Sequence, residues 1–77
     1  MQADNIRNMI KAGLPDADVT VLGEDGTHFE AVIVSPSFAG KRTLERHRMV
    51  YATLGSKMGG DIHALSMLTL TPEEKRD

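Results

Sequence analysis

The connection between two β-rich runs most restricts the folds that this 77-residue chain can adopt. One run covers residues 28–34, the other covers residues 62–70, and a helical pattern over residues 43–58 lies between them. A connection that contains a helix returns the chain to the starting end of a sheet by a right-handed crossover, which makes the two strands parallel. The sequence therefore predicts that both strands begin at the same edge of one sheet.

The first half of the chain supplies a helix and a third strand. Apolar residues recur at helical spacing over residues 4–12, and Gly13 is expected to end that helix in the left-handed conformation. A β-rich run follows at residues 19–22. The dipeptide Asp25-Gly26 then predicts a two-residue hairpin turn, which makes this run antiparallel to the next one.

Together these segments predict one α+β domain over residues 1–77. Its elements follow the order α-β-β-α-β, and the run Thr71-Pro72-Glu73-Glu74 predicts a capping box that opens a short terminal helix. The simplest arrangement is a three-stranded mixed sheet in the order 1-2-3 with the helices on one face.

Composition excludes several function classes. The chain is 40% hydrophobic and 26% charged, which is typical of a globular domain. It has no cysteine, and hence no disulfide framework, thiolate ligand or catalytic thiol of its own. We find no nucleophile–base spacing and no phosphate-binding glycine loop, so we do not expect an enzyme. No apolar run reaches the roughly 18 residues of a membrane span, and we expect a cytoplasmic protein without a membrane partner.

Basic residues are concentrated in the middle of the chain. Residues 36–60 hold five of them against one acid, although the net charge of the whole chain is −2. Such an asymmetry fits either a face for an anionic partner or an ordinary solvated helix face. The candidate surface consists of Lys41, Arg42, Arg46 and Arg48.

Two histidines fall at the predicted shared edge of the sheet. His28 opens one parallel strand, His63 lies at the start of the other, and neighbouring strands are about 4.8 Å apart. Two imidazoles that converge on a common metal ion or cluster do not complete a tetrahedral site, so the remaining ligands would come from another molecule. The alternative is that both histidines are surface residues near turns.

The third histidine lies on the predicted apolar face of the second helix. His47 falls between Leu44 and Tyr51, and a core histidine held by a backbone carbonyl is favoured there over a ligand or a base. Tyr51 is expected to pack on the core with its hydroxyl partnered at the edge. The predicted apolar face contains Leu44, His47, Tyr51, Leu54 and Met58.

Several motifs together resemble the signature of the BolA family. They are FAG at residues 38–40, RHRMVY at residues 46–51 and IHALS at residues 62–66. The resemblance covers nearly the whole chain and is greatest to the short, IbaG-like bacterial branch of the family. It implies an αββαβ fold of the type II KH-like kind, and we assign structural roles to Phe38 and Gly40 within these motifs.

The resemblance also implies a function: a non-enzymatic partner of monothiol glutaredoxins. In such heterodimers a [2Fe–2S] cluster is shared, to which the glutaredoxin contributes a cysteine and glutathione a thiolate. The BolA-like protein contributes the histidine of the IHALS motif, here His63, and a second ligand from the loop before the second strand, here His28. No cofactor is expected in the isolated chain, which would be a monomer or a weak homodimer.

The alternative function is DNA binding, because some BolA-like proteins are described as DNA-binding regulators. The basic second helix and its leading loop support this interpretation, since phosphate contacts come mainly from lysine and arginine. Against it, a KH module clamps nucleic acid with a G-x-x-G loop, and the only such spacing here, at residues 23–26, is acidic. The three aromatic residues also make a base-stacking platform a poor interpretation.

Overall fold

The chain folds in the predicted order of helices and strands. The computed structural model describes every residue except Glu24, His63 and Asp77. The elements are α1 (Ala3–Gly13), β1 (Asp18–Leu22), β2 (His28–Val34), α2 (Thr43–Leu54), β3 (Ala64–Leu70) and α3 (Pro72–Arg76), with 3-10 turns at Pro36–Phe38 and Gly55–Lys57. No helix in the described segments is long and apolar enough to cross a membrane.

The strands form a mixed sheet with β2 in the centre, in the order β1-β2-β3. β1 pairs with β2 in the antiparallel direction. β3 pairs with β2 in the parallel direction, from His28 opposite Ala64 to Val34 opposite Leu70. β2 and β3 therefore begin at the same end of the sheet, which confirms the prediction from the helical connection.

One face of the sheet is buried and the other is open. Side chains alternate along β2, so Phe29 and Ile33 are buried while Glu30 and Val32 are exposed. α1 packs on β1, and α2 packs against α1 and β3, so both helices cover the buried face. This arrangement confirms the predicted α+β class with its main helices on one side.

α2 is shorter than predicted, and only part of its predicted apolar face is buried. The α-helix ends at Leu54, because Gly55 takes a positive φ of 55° that breaks the helical repeat. Val50 and Leu54 are fully buried, whereas Leu44 is 61% exposed and Tyr51 is 39% exposed. The predicted apolar face was therefore wrong for Leu44 and Tyr51.

Two boundaries also differ from the sequence-based expectation. Gly13 is the last residue of α1 rather than a left-handed residue beyond it, because the chain closes the helix with Leu14 N–H donating to the Ile10 carbonyl at 2.8 Å. β3 begins at Ala64, later than predicted, because Ile62 instead forms an isolated bridge with Met58.

The connection between β1 and β2 is longer than the predicted two-residue turn. The strands end at Leu22 and resume at His28, and Gly26 supplies a φ of 77° within the loop. Within this loop the side chain of Asp25 accepts hydrogen bonds from the backbone N–H groups of Thr27 and His28.

The capping box predicted for α3 is confirmed. Thr71 N–H donates to Glu74 Oε1 at 2.8 Å, and Glu74 N–H donates to Thr71 Oγ1 at 3.2 Å. These reciprocal bonds satisfy two backbone donors that a helix start would otherwise leave unpaired.

Candidate functional site

The starting ends of β2 and β3 form one edge of the sheet, which we call the rim and define by residues 25–28 and Ala64. His28 lies opposite Ala64 in the parallel register, and Ala64 N–H donates to the Thr27 carbonyl at 3.1 Å. The structure therefore places His28 at the rim, as predicted. His63 directly precedes Ala64 in the sequence and lies outside the described residues, so its assignment stays a prediction.

Asp25 organises the rim through both of its carboxylate oxygens. Oδ1 accepts hydrogen bonds from the N–H groups of Thr27 at 2.9 Å and His28 at 2.8 Å. Oδ2 lies 2.7 Å from Nδ1 of the His28 imidazole, and Thr27 Oγ1 lies 3.0 Å from the same nitrogen. One aspartate thus fixes both the backbone and the ring of His28.

These contacts hold the pKa of Asp25 well below its usual range. The two backbone N–H groups, from His28 and then Thr27, stabilise the charged form most, and the imidazole of His28 adds to them. Asp25 is therefore ionised at neutral pH. A carboxylate in this state can only accept hydrogen bonds.

From the sequence, Asp25 was predicted only to form the hairpin turn. The available signal was an aspartate three residues before a histidine inside a hairpin loop. Aspartate in such loops bonds to the backbone two or three residues further on, which brings its side chain beside that histidine.

The rim borders an open groove of about 1050 Å³, which gives His28 space for a partner. Asp25, His28, Phe29 and Leu65 are among the residues that line it. The side chain of His28 is 65% exposed, so its imidazole can be reached from outside. Within the described part of the chain, no group of three or more histidine, aspartate or glutamate side chains could hold a metal ion alone.

The predicted basic surface is retained at three of its four positions. Lys41, Arg42 and Arg48 are exposed. The assignment of Arg46 to this surface was wrong, because its side chain is only 11% exposed and forms an internal ion pair. Its guanidinium donates to both carboxylate oxygens of Glu74, at 2.6 and 3.2 Å.

Arg46 instead connects three segments of the fold. Its Nε donates to the Lys41 carbonyl at 2.9 Å, and its Nη1 donates to the Thr69 carbonyl of β3 at 3.1 Å. The guanidinium carbon also lies 5.8 Å from the centre of the Phe38 ring. Together with the Glu74 pair, these contacts join the start of α2 to β3 and α3.

The residues predicted to be structural occupy varied environments. Phe38 is fully buried, and Gly40 takes a φ of 75° in the connection to α2. His47 is only half-buried, so the prediction of a core histidine was wrong, and Tyr51 lies largely at the surface. Both residues lie on α2, in which Val50 and Leu54 are the buried residues.

Glu74 gives the fold a measurable pH dependence. Its pKa is lowered to about 2, mainly by the hydrogen bond from Arg46 and then by that from the Thr71 N–H group. The ion pair therefore stabilises the folded state above the ordinary glutamate pKa of 4.5, and its contribution is lost as the pH falls from there towards 2. Glu74→Gln should lower the melting temperature at neutral pH, and the difference from the wild type should shrink over this acidic range.

A matched control for this prediction is Glu73→Gln, which alters the neighbouring residue of the same short helix. Glu73 is exposed and lies 3.8 Å from Arg76, so its replacement should change the melting temperature little at any pH. A wild-type to Glu74→Gln difference that stays constant between neutral and acidic pH would contradict the assignment.

Comparison with known proteins identifies the class of protein that this fold defines. A family model described as BolA-like protein matches residues 9–74. A solved bolA protein homologue from Coxiella burnetii superimposes with a TM-score of 0.90 at 46% identity, covering 100% of this chain and 99% of that one. The chain belongs to the BolA-like protein family.

Two curated relatives show how the similarity is distributed. A protein of Acinetobacter guillouiae from the rpoN-murA intergenic region, which carries no functional name, is 39% identical over 99% of this chain and 92% of its own length. The DNA-binding transcriptional regulator BolA of Escherichia coli is 46% identical over 62% of this chain and 46% of its own length. The chain thus matches less than half of the Escherichia coli regulator.

Proposed function

We propose that this protein is a non-enzymatic, cytoplasmic partner of a monothiol glutaredoxin and that the two share a glutathione-assisted [2Fe–2S] cluster at the rim. The protein would then act in iron–sulfur trafficking or iron sensing. The observation that carries the proposal is the register of the parallel strands, in which His28 lies opposite Ala64, the residue directly after His63. Membership of the BolA-like family supports the same role.

The donor set available on this chain fits half of such a site. Imidazole nitrogens are established ligands of [2Fe–2S] centres in which two histidines replace two cysteines. The chain has no cysteine, so the thiolates would come from the glutaredoxin and from glutathione. His63 and His28 would hold the cluster on this side and keep it accessible at the sheet edge.

The exposed basic residues suit the same partner. Lys41, Arg42 and Arg48 are all exposed on and before α2, and glutathione carries two carboxylates. Complementary charge raises the rate of encounter between two proteins more than it raises their affinity. In this proposal the basic surface steers the partner, while the rim provides the specific ligands.

Mixing the purified protein with a cluster-loaded monothiol glutaredoxin and glutathione tests the proposal. We expect a new visible circular dichroism spectrum of the heteromeric complex, which His63→Ala abolishes and His28→Ala alters. His47→Ala is the matched control, because it removes the third histidine from α2 and should leave the spectrum unchanged. A wild-type mixture with the spectrum of the glutaredoxin alone would refute the proposed function.

A second candidate function is DNA binding. It is favoured by the exposed Lys41, Arg42 and Arg48 and by the name of the Escherichia coli relative. Gel mobility shifts titrated against salt separate the two functions, since binding through phosphates alone weakens steeply with salt and shows no preferred sequence. A sequence preference that survives physiological salt would favour this second candidate.

A further inference from the structure

The ring of His28 is held by a charged acceptor rather than by solvent. Asp25 Oδ2 lies 2.7 Å from His28 Nδ1, and the other oxygen of the same carboxylate accepts from the His28 backbone N–H at 2.8 Å. The aspartate therefore contacts both the imidazole and the backbone N–H of His28. Rotation of the imidazole away from this position would break the contact with Oδ2.

This contact favours a proton on Nδ1 of the ring. An ionised carboxylate has no proton to donate, so the hydrogen bond to Asp25 requires a proton on Nδ1. The second neighbour of Nδ1, the Thr27 hydroxyl at 3.0 Å, can accept from the same N–H group. In a neutral imidazole the other nitrogen, Nε2, then carries the lone pair that a metal ion requires.

We infer that Asp25 is a positioning residue, whose carboxylate fixes the Nδ1–H tautomer of His28 and so presents Nε2 as the atom that ligates iron. The inference rests on the proposed cluster-sharing function. In metalloproteins a carboxylate on the second ring nitrogen of a ligating histidine sets the tautomer and the ring orientation and makes the ligand more basic. Asp25 meets this description before any metal is bound.

The replacement that separates this role from a purely structural one is Asp25→Asn. The asparagine oxygen can still accept from the N–H groups of Thr27 and His28 and so preserve the loop. Its amide nitrogen, however, faces Nδ1 as a donor, which favours the tautomer with the proton on Nε2. The variant therefore reverses the tautomer while keeping the backbone contacts.

The tautomer can be measured in the isolated protein without any cluster. Long-range proton–nitrogen NMR correlation spectra, recorded in alkaline buffer where imidazoles are neutral, should show the Nδ1–H form of His28 in the wild type. Asp25→Asn should show the Nε2–H form, and Thr27→Val, which leaves the carboxylate in place, should retain the wild-type form. A wild-type ring with its proton on Nε2 would overturn the inference, whatever the glutaredoxin experiment gives.

The second readout is the cluster-bridged complex with the glutaredoxin. Asp25→Asn should weaken its formation by about 10- to 100-fold, the usual effect of removing such a partner of a metal ligand. Asp18→Asn makes the same chemical change at the opposite end of the sheet and should leave complex formation unchanged. Unchanged affinity in Asp25→Asn would overturn the inference. A wild-type protein that has the Nδ1–H ring but forms no complex would instead refute the proposed function.

Discussion

Replacing Phe38 with alanine is expected to lower the free energy of unfolding by about 3–5 kcal/mol, as for other fully buried phenylalanines. Phe38 is the largest of the completely buried side chains in the described part of the chain, and it lies where the chain passes from β2 to α2. The guanidinium of Arg46 rests 5.8 Å from its ring centre, so the deletion also removes a contact of that connecting residue.

This loss is large for a small domain, because native proteins are typically stable by only about 5–15 kcal/mol. Urea denaturation followed by far-ultraviolet circular dichroism measures it, and Tyr51→Ala serves as the matched control. Tyr51 is also aromatic but is 39% exposed, so its removal should cost much less. Equal losses in the two variants would show that burial at residue 38 does not dominate the core.

Gly13→Ala is expected to destabilise the fold by about 1–3 kcal/mol through overpacking. In most helices the same replacement is stabilising, because alanine has the higher helix propensity by about 1 kcal/mol. At Gly13 the sign is reversed, since a Cβ atom there would lie 2.5 Å from Cγ2 and 2.9 Å from Cβ of Thr53. The absence of a side chain thus allows α1 and α2 to approach each other closely.

A double-mutant cycle with Thr53→Ser tests this explanation. Serine retains the hydroxyl that donates to the Val50 carbonyl at 2.6 Å but removes the methyl group nearest to Gly13. Gly13→Ala should therefore cost less in the Thr53→Ser background than in the wild type. Gly60→Ala is the control, because a Cβ atom there meets no atom closer than 3.7 Å. Independent, additive effects at residues 13 and 53 would contradict the steric explanation.

The topology was predictable because it depends on connections rather than on individual contacts. A helix between two β-rich runs forces a parallel return, and the structure pairs His28 with Ala64 as this rule requires. The boundaries of β2 and the capping box of α3 were also predictable from the sequence. Each depends on neighbouring residues only: a β-branched run for the strand and Thr-Pro-Glu-Glu for the helix start. These features do not depend on how distant side chains pack.

The buried face of α2 could not be read from apolar spacing alone. Leu44 and Tyr51 were predicted to face the core, but the helix buries Val50 beside Leu54, together with most of the Arg46 side chain. The charge of Arg46 is tolerated there because Glu74 neutralises it from a helix 28 residues further along the chain. A pair so distant in the sequence gives no local signal.

The candidate site was predictable in position but not in detail. The histidine at the start of β2 follows from topology, whereas the role of Asp25 follows from the conformation of the loop that precedes it. The turn dipeptide predicted a tight hairpin in which that aspartate would have had no such role. The longer loop brings the carboxylate of Asp25 within hydrogen-bond distance of the His28 imidazole.

The parallel pairing of β2 with β3 also determines when the rim can exist during protein synthesis. The strand that completes this edge is the last of the sheet in chain order, and its first residue donates to the carbonyl of Thr27. While β3 is still inside the ribosome exit tunnel, β2 can pair with β1 but has no partner strand on its other edge. A site that uses the starting ends of both β2 and β3 can therefore form only after β3 has been translated.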